Sequence, residues 1–174
     1  MRINTYLAAQ FMKNKAIFLD RDGVLNKEQG DYITRFEDFI ILPHVYEGLK
    51  ILQQEGYLLI VITNQGGIAK KLYSLDDLHT MHQFLKAELL KNGITITDIY
   101  FCPHHPIEGN CLCRKPGSLL VEKALSKYHI DPTQSFFIGD KMRDIECGEA
   151  AGVKGVFIEA NQDWTPWVSR LRST

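Results

Sequence analysis

Lys15-Ala-Ile-Phe-Leu-Asp20-Arg-Asp22-Gly23-Val-Leu-Asn26 runs four apolar residues into a carboxylate, places a second carboxylate two positions on, and then turns at a glycine. The apolar run is too short for a helix and reads as a buried parallel strand. Asp20 then stands at its carboxyl end, where open α/β sheets bind ligands. Two carboxylates this close repel each other unless a cation or a shared proton relieves them. Such a pair suits a Mg²⁺ held beside a nucleophile. A solvated turn after a strand is the plain alternative, since Asp and Gly are ordinary turn residues.

Outward from this stretch the same layout recurs. Tyr57-Leu-Leu-Ile-Val-Ile62 is a second buried strand, and it ends in Thr63-Asn64-Gln65-Gly66-Gly67. A third strand centres on Asp98–Phe101, a fourth covers Ser135–Ile138 and ends in Gly139-Asp140-Lys141, and a fifth covers Val153–Ile158. Helical segments alternate with them. One opens at Pro43 and stops at Gly56. A second is capped by Ser74, buries Leu78, Met81, Leu85, Leu89 and Leu90, and stops at Gly93. A third is capped by Ser118 and reaches Tyr128, and a short one runs from Asp144 to Ala151. Trp164, Trp167 and Leu171 anchor a terminal helix. Alternating strands and helices predict an α/β, Rossmann-like domain: a mainly parallel, five-stranded sheet with helices on both faces. No linker, repeat or large cap domain is visible, so residues 15–174 read as one domain and 1–14 as an N-terminal extension.

Composition bounds the partners. The chain has 174 residues, 45% hydrophobic and 24% charged, with a formal net charge of −1. No basic field favours nucleic acid. No apolar run reaches membrane-spanning length, and Met1 to Phe11 lack a secretory pattern, so a cytoplasmic, monomeric protein with no membrane partner is expected. Of the four cysteines, three lie between residues 102 and 113. In that compartment such a cluster favours metal over a disulfide.

Asp20, Asp22, Thr63 and Asp140 all follow strands, and the carboxyl ends of parallel strands share one edge. Three carboxylates around one point call for a hard cation, Mg²⁺ above all. Arg114 and Lys115 precede the helix at Ser118, and two cations beside such a site point to an anionic substrate, most simply a phosphate. Cys102-Pro-His104-His105 and Cys111-Leu-Cys113 add three thiolates and an imidazole on one loop, a closed tetrahedral zinc set and therefore a structural one. The loop at 27–38 follows the carboxylate pair and either overhangs the site or is plain solvated loop. His79 and His82 read as helix surface or packing, Cys147 as buried packing, and Lys70-Lys71 as a solvated pair, with contact to a distal phosphate as the alternative.

Asp20-Arg-Asp22-Gly23, Thr63, Lys115, and Gly139-Asp140 with Asp144 resemble, in order and spacing, the four motifs of the haloacid dehalogenase-like phosphatases. The resemblance spans Lys15 to Ile158. It implies that Asp20 is the nucleophile, that Asp22 is the general acid/base, and that Thr63, Lys115 and Arg114 hold the phosphoryl oxygens. It implies Mg²⁺ on the Asp20 side chain, the Asp22 main-chain carbonyl and the Asp140 side chain. The zinc loop narrows the resemblance to a subgroup without a large cap. In its Cys-x-His pattern the nitrogen ligand is His104 rather than His105, with Cys102, Cys111 and Cys113. Members of this subgroup act on heptose bisphosphates or on histidinol phosphate. Thr63-Asn64-Gln65-Gly-Gly-Ile-Ala69 and Cys113-Arg-Lys-Pro116 are most similar to the heptose type, which implies a phosphorylated sugar as substrate, with Glu28, Asn64, Gln65 and Lys141 touching it. Two features depart from that type: Gly30-Asp-Tyr-Ile replaces Gly-Tyr-Val, and the spacer between His104 and Cys111 is short, as in the histidinol-phosphate type. A zinc-bearing binding module with vestigial catalytic residues is the alternative from another class.

Overall fold

A computed structural model describes residues 13–171. Most of the expected extension, residues 1–12, lies outside them. Asn14 is tied to the body, its amide donating to His129 O at 3.0 Å and its carbonyl accepting from Asp131 N at 2.8 Å.

Five strands form one sheet: β1 (Lys15–Leu19), β2 (Tyr57–Asn64), β3 (Asp98–Cys102), β4 (Phe136–Gly139) and β5 (Lys154–Phe157). Their order is β3-β2-β1-β4-β5, and every pairing is parallel. The helices are α1 (Val45–Gln54), α2 (Leu75–Lys91), α3 (Leu119–Lys127), α4 (Met142–Ala150) and α5 (Thr165–Leu171). The expected single α/β domain with a parallel five-stranded sheet is therefore present.

Strand alternation sorts the core into two layers. Ile17, Leu19, Leu59, Val61 and Ile138 face α1, α2 and α5 through Leu49, Leu52, Leu85, Trp164 and Val168. Ala16, Phe18, Ile60, Ile62 and Phe137 face α3 and α4 through Leu120, Val121, Ala124 and Cys147. Both faces of the central strands are buried, which is why their sequences are continuously apolar rather than alternating. Trp164 is buried and donates from its indole to Val24 O at 3.1 Å, so the tail is anchored as expected.

Several local details differ from the sequence reading. Leu90 is 61% exposed, because it lies off the stripe formed by Leu78, Met81, Leu85 and Leu89. Ser74 does cap α2, in a reciprocal capping box with Asp77. Ser118 precedes α3 but its backbone is helical and its side chain caps no amide; its hydroxyl turns to Glu122 instead. α4 starts two residues before Asp144, whose carboxylate reaches back to the Lys141 amide at 3.0 Å. β5 is a partly exposed edge strand and runs over Lys154–Phe157, one residue shorter at each end than expected. Among the described residues no helix is long and apolar enough to cross a membrane.

The chain order reverses between β1 and β4, which are neighbours. Loops leave a sheet on opposite sides at such a switch point and open a crevice at the carboxyl edge. Asp20 and Asp140 are the residues that follow β1 and β4 there.

Candidate active site

Asp20 leaves β1 with its amide still on the sheet ladder, donating to Ile138 O at 3.0 Å. Its Oδ1 accepts from the Arg21 amide at 2.7 Å and lies 2.8 Å from Lys115 Nζ. Lys115 is 2% exposed, and its ammonium also reaches Ile62 O at 2.7 Å and Asp144 Oδ1 at 2.7 Å. An ammonium has three donors, so this cation is fully saturated by three acceptors. Its backbone is clamped as well: the Asn64 side chain accepts from Lys115 N at 3.0 Å and donates to Lys115 O at 3.1 Å.

Asp20, Asp140 and Asp144 bring carboxylate oxygens within 4.8 Å of one another, all three buried. Burial pushes Asp20 up to about 7, against the pull of Lys115 and with help from the charges of Asp144 and Asp22. Burial also raises Asp140, which Lys141 opposes at 3.0 Å from Oδ2. The other Asp140 oxygen, Oδ1, is buried with no hydrogen-bond partner among the described residues. A buried acceptor without a donor is costly. An oxygen-liganded cation at this point would satisfy it, and the donor set fits a hard divalent ion.

Gly23 lets the loop close over this point. Its φ is +84°, and a Cβ there would stand 2.7 Å from Asp140 Oδ2. Gly139 is equally constrained, because a Cβ would stand 2.2 Å from the Asp144 Cβ.

The Asp22 side chain takes a different direction. Arg21 grips it from Nε at 3.1 Å and from one terminal nitrogen at 2.8 and 2.9 Å. Asn26 and Gln65 add donors at 2.9 and 3.0 Å. Burial works to raise this carboxyl, but Arg21, Asn26 and Gln65 outweigh it and hold it below the usual range. Gln65 also donates to Thr63 Oγ1 at 2.9 Å and accepts from the Tyr73 hydroxyl at 2.6 Å, so both ends of its amide are engaged. Arg21 is buried over Phe39 and reaches His82 Nε2 at 3.3 Å. A guanidinium only donates, so Nε2 must be the unprotonated nitrogen.

These groups line a cleft of about 760 Å³, counted to its open mouth. The expected site residues Asp20, Asp22, Glu28, Thr63, Asn64, Gln65, Arg114 and Asp140 lie on its wall. Lys115 sits behind the wall, and Lys141 reaches the cleft through Asp140. The 27–38 loop does overhang the site: Glu28 and Tyr32 line the cleft, and Lys70 covers the Tyr32 ring at 5.0 Å. Sequence reading gave no role to Arg21, Tyr73, His82 or Arg143, and did not rank Asp144 among the site residues. The position of Arg21 between two aspartates was a usable signal. For Tyr73 and Arg143 there was none.

The second cluster lies beside this cleft. Sγ atoms of Cys102, Cys111 and Cys113 stand 3.5, 3.2 and 3.8 Å apart, and His104 Nδ1 lies 3.6 and 3.3 Å from Cys102 and Cys113. Thiolates around a zinc ion with ~2.3 Å bonds would lie about 3.8 Å apart. All four cysteines are free thiols, and the cluster of four can hold a metal ion. His105 is turned away, accepting from Ile107 N at 3.3 Å. His104 O accepts from Arg114 at 2.8 Å, which links the cluster to the cleft. Cys147 packs in the core, as expected, with Sγ donating to Gly117 O at 3.2 Å.

Comparison with known proteins agrees with this geometry. The HAD-hydrolase-like family model matches residues 112–167. A D-glycero-alpha-D-manno-heptose-1,7-bisphosphate 7-phosphatase of Photorhabdus laumondii is 41% identical, over 86% of this chain and 84% of its own. A D-glycero-beta-D-manno-heptose-1,7-bisphosphate 7-phosphatase of Helicobacter pylori is 44% identical over 81% of each chain. The crystal structure of a D,D-heptose 1,7-bisphosphate phosphatase from B. bronchiseptica, complexed with magnesium and phosphate, superposes with a TM-score of 0.77 at 30% identity, covering 82% of this chain and 79% of that one. With this degree of shared sequence along most of its length, on the same core, the chain belongs to the haloacid dehalogenase-like phosphatases and is a phosphoric monoester hydrolase.

Proposed function

We propose that this enzyme removes the 7-phosphate of D-glycero-D-manno-heptose 1,7-bisphosphate in the cytoplasm, as a Mg²⁺-dependent monomer carrying a structural zinc. The observation that carries the reading is the meeting of Asp20, Asp140 and Lys115 at one sheet edge, with one Asp140 oxygen buried and partnerless. The names of the relatives supply the sugar, including both anomers.

Asp20 attacks phosphorus. Its contacts with Arg21 N and Lys115 fall on Oδ1 and orient the carboxylate for in-line approach. As the new P–O bond forms, the bond to the sugar oxygen breaks and that oxygen takes its proton through Asp22, which has to turn out of the Arg21, Asn26 and Gln65 contacts that keep it ionised here before it can carry one. The aspartyl-phosphate is then attacked by water, whose proton Asp22 takes back, and phosphate leaves as the Asp20 carboxylate reforms. Thr63 and Arg114 steady the phosphoryl oxygens as charge builds, and Lys115, whose donors are held by Asp20, Asp144 and Ile62 O, adds its positive charge from behind Asp20. Mg²⁺, when bound by the Asp20 and Asp140 side chains and the Asp22 carbonyl, supplies charge neutralisation. Asn64 acts through the Lys115 backbone and Gln65 through Asp22, while Glu28 and Lys141 face substrate. Cys102, His104, Cys111 and Cys113 hold zinc and so fix Arg114.

A phosphate-release screen with Mg²⁺ tests the substrate. The heptose 1,7-bisphosphate anomers should lead histidinol phosphate and common sugar monophosphates in kcat/KM by tenfold or more, about 1.4 kcal/mol. A lead for histidinol phosphate would overturn the assignment.

A further inference from the structure

We infer that Asn161 is a positioning residue: its side chain holds the backbone of Glu28 in place, and with it the overhanging wall of the cleft that the sugar meets. The inference rests on the functional reading above and adds to it a residue that lies past Ile158, beyond the four motifs. Asn161 is exposed and does not line the cleft, so it acts through Glu28 rather than on the sugar itself.

Three hydrogen bonds place it. Asn161 Oδ1 accepts from Glu28 N at 2.7 Å, its Nδ2 donates to Glu28 O at 3.0 Å, and its own main-chain amide donates to Gly23 O at 2.8 Å. A primary amide carries a donor and an acceptor side by side. The side chain therefore pairs with the Glu28 backbone as a neighbouring strand would. The turn that carries Asn161 is itself fixed. Ile158 N donates to Gly139 O at 3.0 Å, Gln162 N to Glu159 O at 3.0 Å, and Glu159 N to Gln162 Oε1 at 2.9 Å. Asn161 has a φ of +65°, a left-handed backbone that Asn tolerates better than most residues.

The segment it holds is the overhang. Lys27 N donates to Ile40 O at 2.8 Å and closes the base of the loop, and Ile33 is buried farther on. Between them Glu28, Gly30, Asp31 and Tyr32 line the cleft. The bonds from Gly30 N to Glu28 Oε1 and from Gln29 to Asp38 O stay inside the loop. Lys70 over the Tyr32 ring and the Asn161 pair join this run to the rest of the domain. A wall already in place when substrate arrives does not have to be ordered by binding. Once freed it would have to be, and the loss would fall on KM for a substrate that touches it.

Wild type and Asn161→Gly should be assayed with Mg²⁺ on heptose 1,7-bisphosphate and on acetyl phosphate, which carries no sugar to meet the loop. Glycine accepts a φ of +65° and keeps the amide that bonds Gly23 O, so only the tie to Glu28 is cut. Asn161→Gly should raise KM for the bisphosphate about tenfold, with its kcat and the acetyl phosphate rate held near wild type. A merely structural role would lower the rates on both substrates alike. That result, or an unchanged KM for the bisphosphate, overturns the inference and leaves the functional reading standing. A wild-type enzyme that hydrolyses acetyl phosphate but not the bisphosphate overturns the functional reading, and the inference with it.

Discussion

The Lys115 ammonium lies 2.7 Å from Asp144 Oδ1, a carboxylate with 0% of its surface exposed, and this pair holds Lys115 against Asp20 from behind the cleft. Removing one partner of a buried pair strands the other charge. Lys115→Met should therefore lose activity and also stability, by roughly 3–5 kcal/mol if both aspartates stay ionised. Adding Asp144→Asn should recover part of the stability and none of the activity. Urea unfolding with a Mg²⁺-dependent assay checks both. Equal stability of the single and double variants would show that Asp144 is not the strained partner.

Asp20→Asn should fold normally and turn over at least about a thousandfold more slowly, a barrier increase of ~4 kcal/mol. The amide keeps an oxygen for Lys115 and Arg21 N but cannot form the covalent intermediate. Wild-type turnover in this variant would exclude Asp20 as nucleophile.

Gly23→Ala tests the close approach over Asp140. Left-handed backbone costs a non-glycine residue roughly 1–2 kcal/mol, and the added Cβ would meet Asp140 Oδ2 at 2.7 Å. The variant should lose thermal stability and require more Mg²⁺ for half-maximal rate. A Mg²⁺ titration identical to wild type would argue that Asp140 does not hold the ion.

Zinc should be found at about one ion per chain after dialysis of native protein. Thiolates must be deprotonated to bind it, so the ion should be released as pH falls. Cys113→Ser should lose it and become open to proteolysis between residues 102 and 115. Its phosphatase rate should fall as Arg114 loses its fixed anchor. Native protein without zinc would remove this part of the account.

His82 adds an acid sensitivity. Burial, and next the charge of Arg21, lower its pKa from 6.5 to about 3. Between those values the unfolded chain binds a proton that the native state refuses, so stability falls as pH drops from 6.5 towards 3 and is unaffected above that window. The slope inside it is roughly 1.4 kcal/mol per pH unit. His82→Gln should flatten the fall relative to wild type in melting curves taken from pH 7.5 to 4.5. Parallel curves would mean that His82 titrates normally.

The sequence by itself determined the five-strand α/β plan, the order of the motifs and the cysteine–histidine loop. Each of these is written locally: continuous apolar runs bury both faces of a strand, glycines stop helices, and ligands recur a few residues apart. Tertiary structure alone decided the second tier of the site. Lys115 meets Asp144 from a different strand–helix connection, and Asn64 turns to the backbone of Lys115 rather than lying free in the cleft. His82 reaches Arg21 from the middle of α2, and Arg143 is left unpaired on the cleft wall. Such contacts join residues tens of positions apart, and no local periodicity records them, because they depend on which helix each sheet face receives and where the strand order reverses.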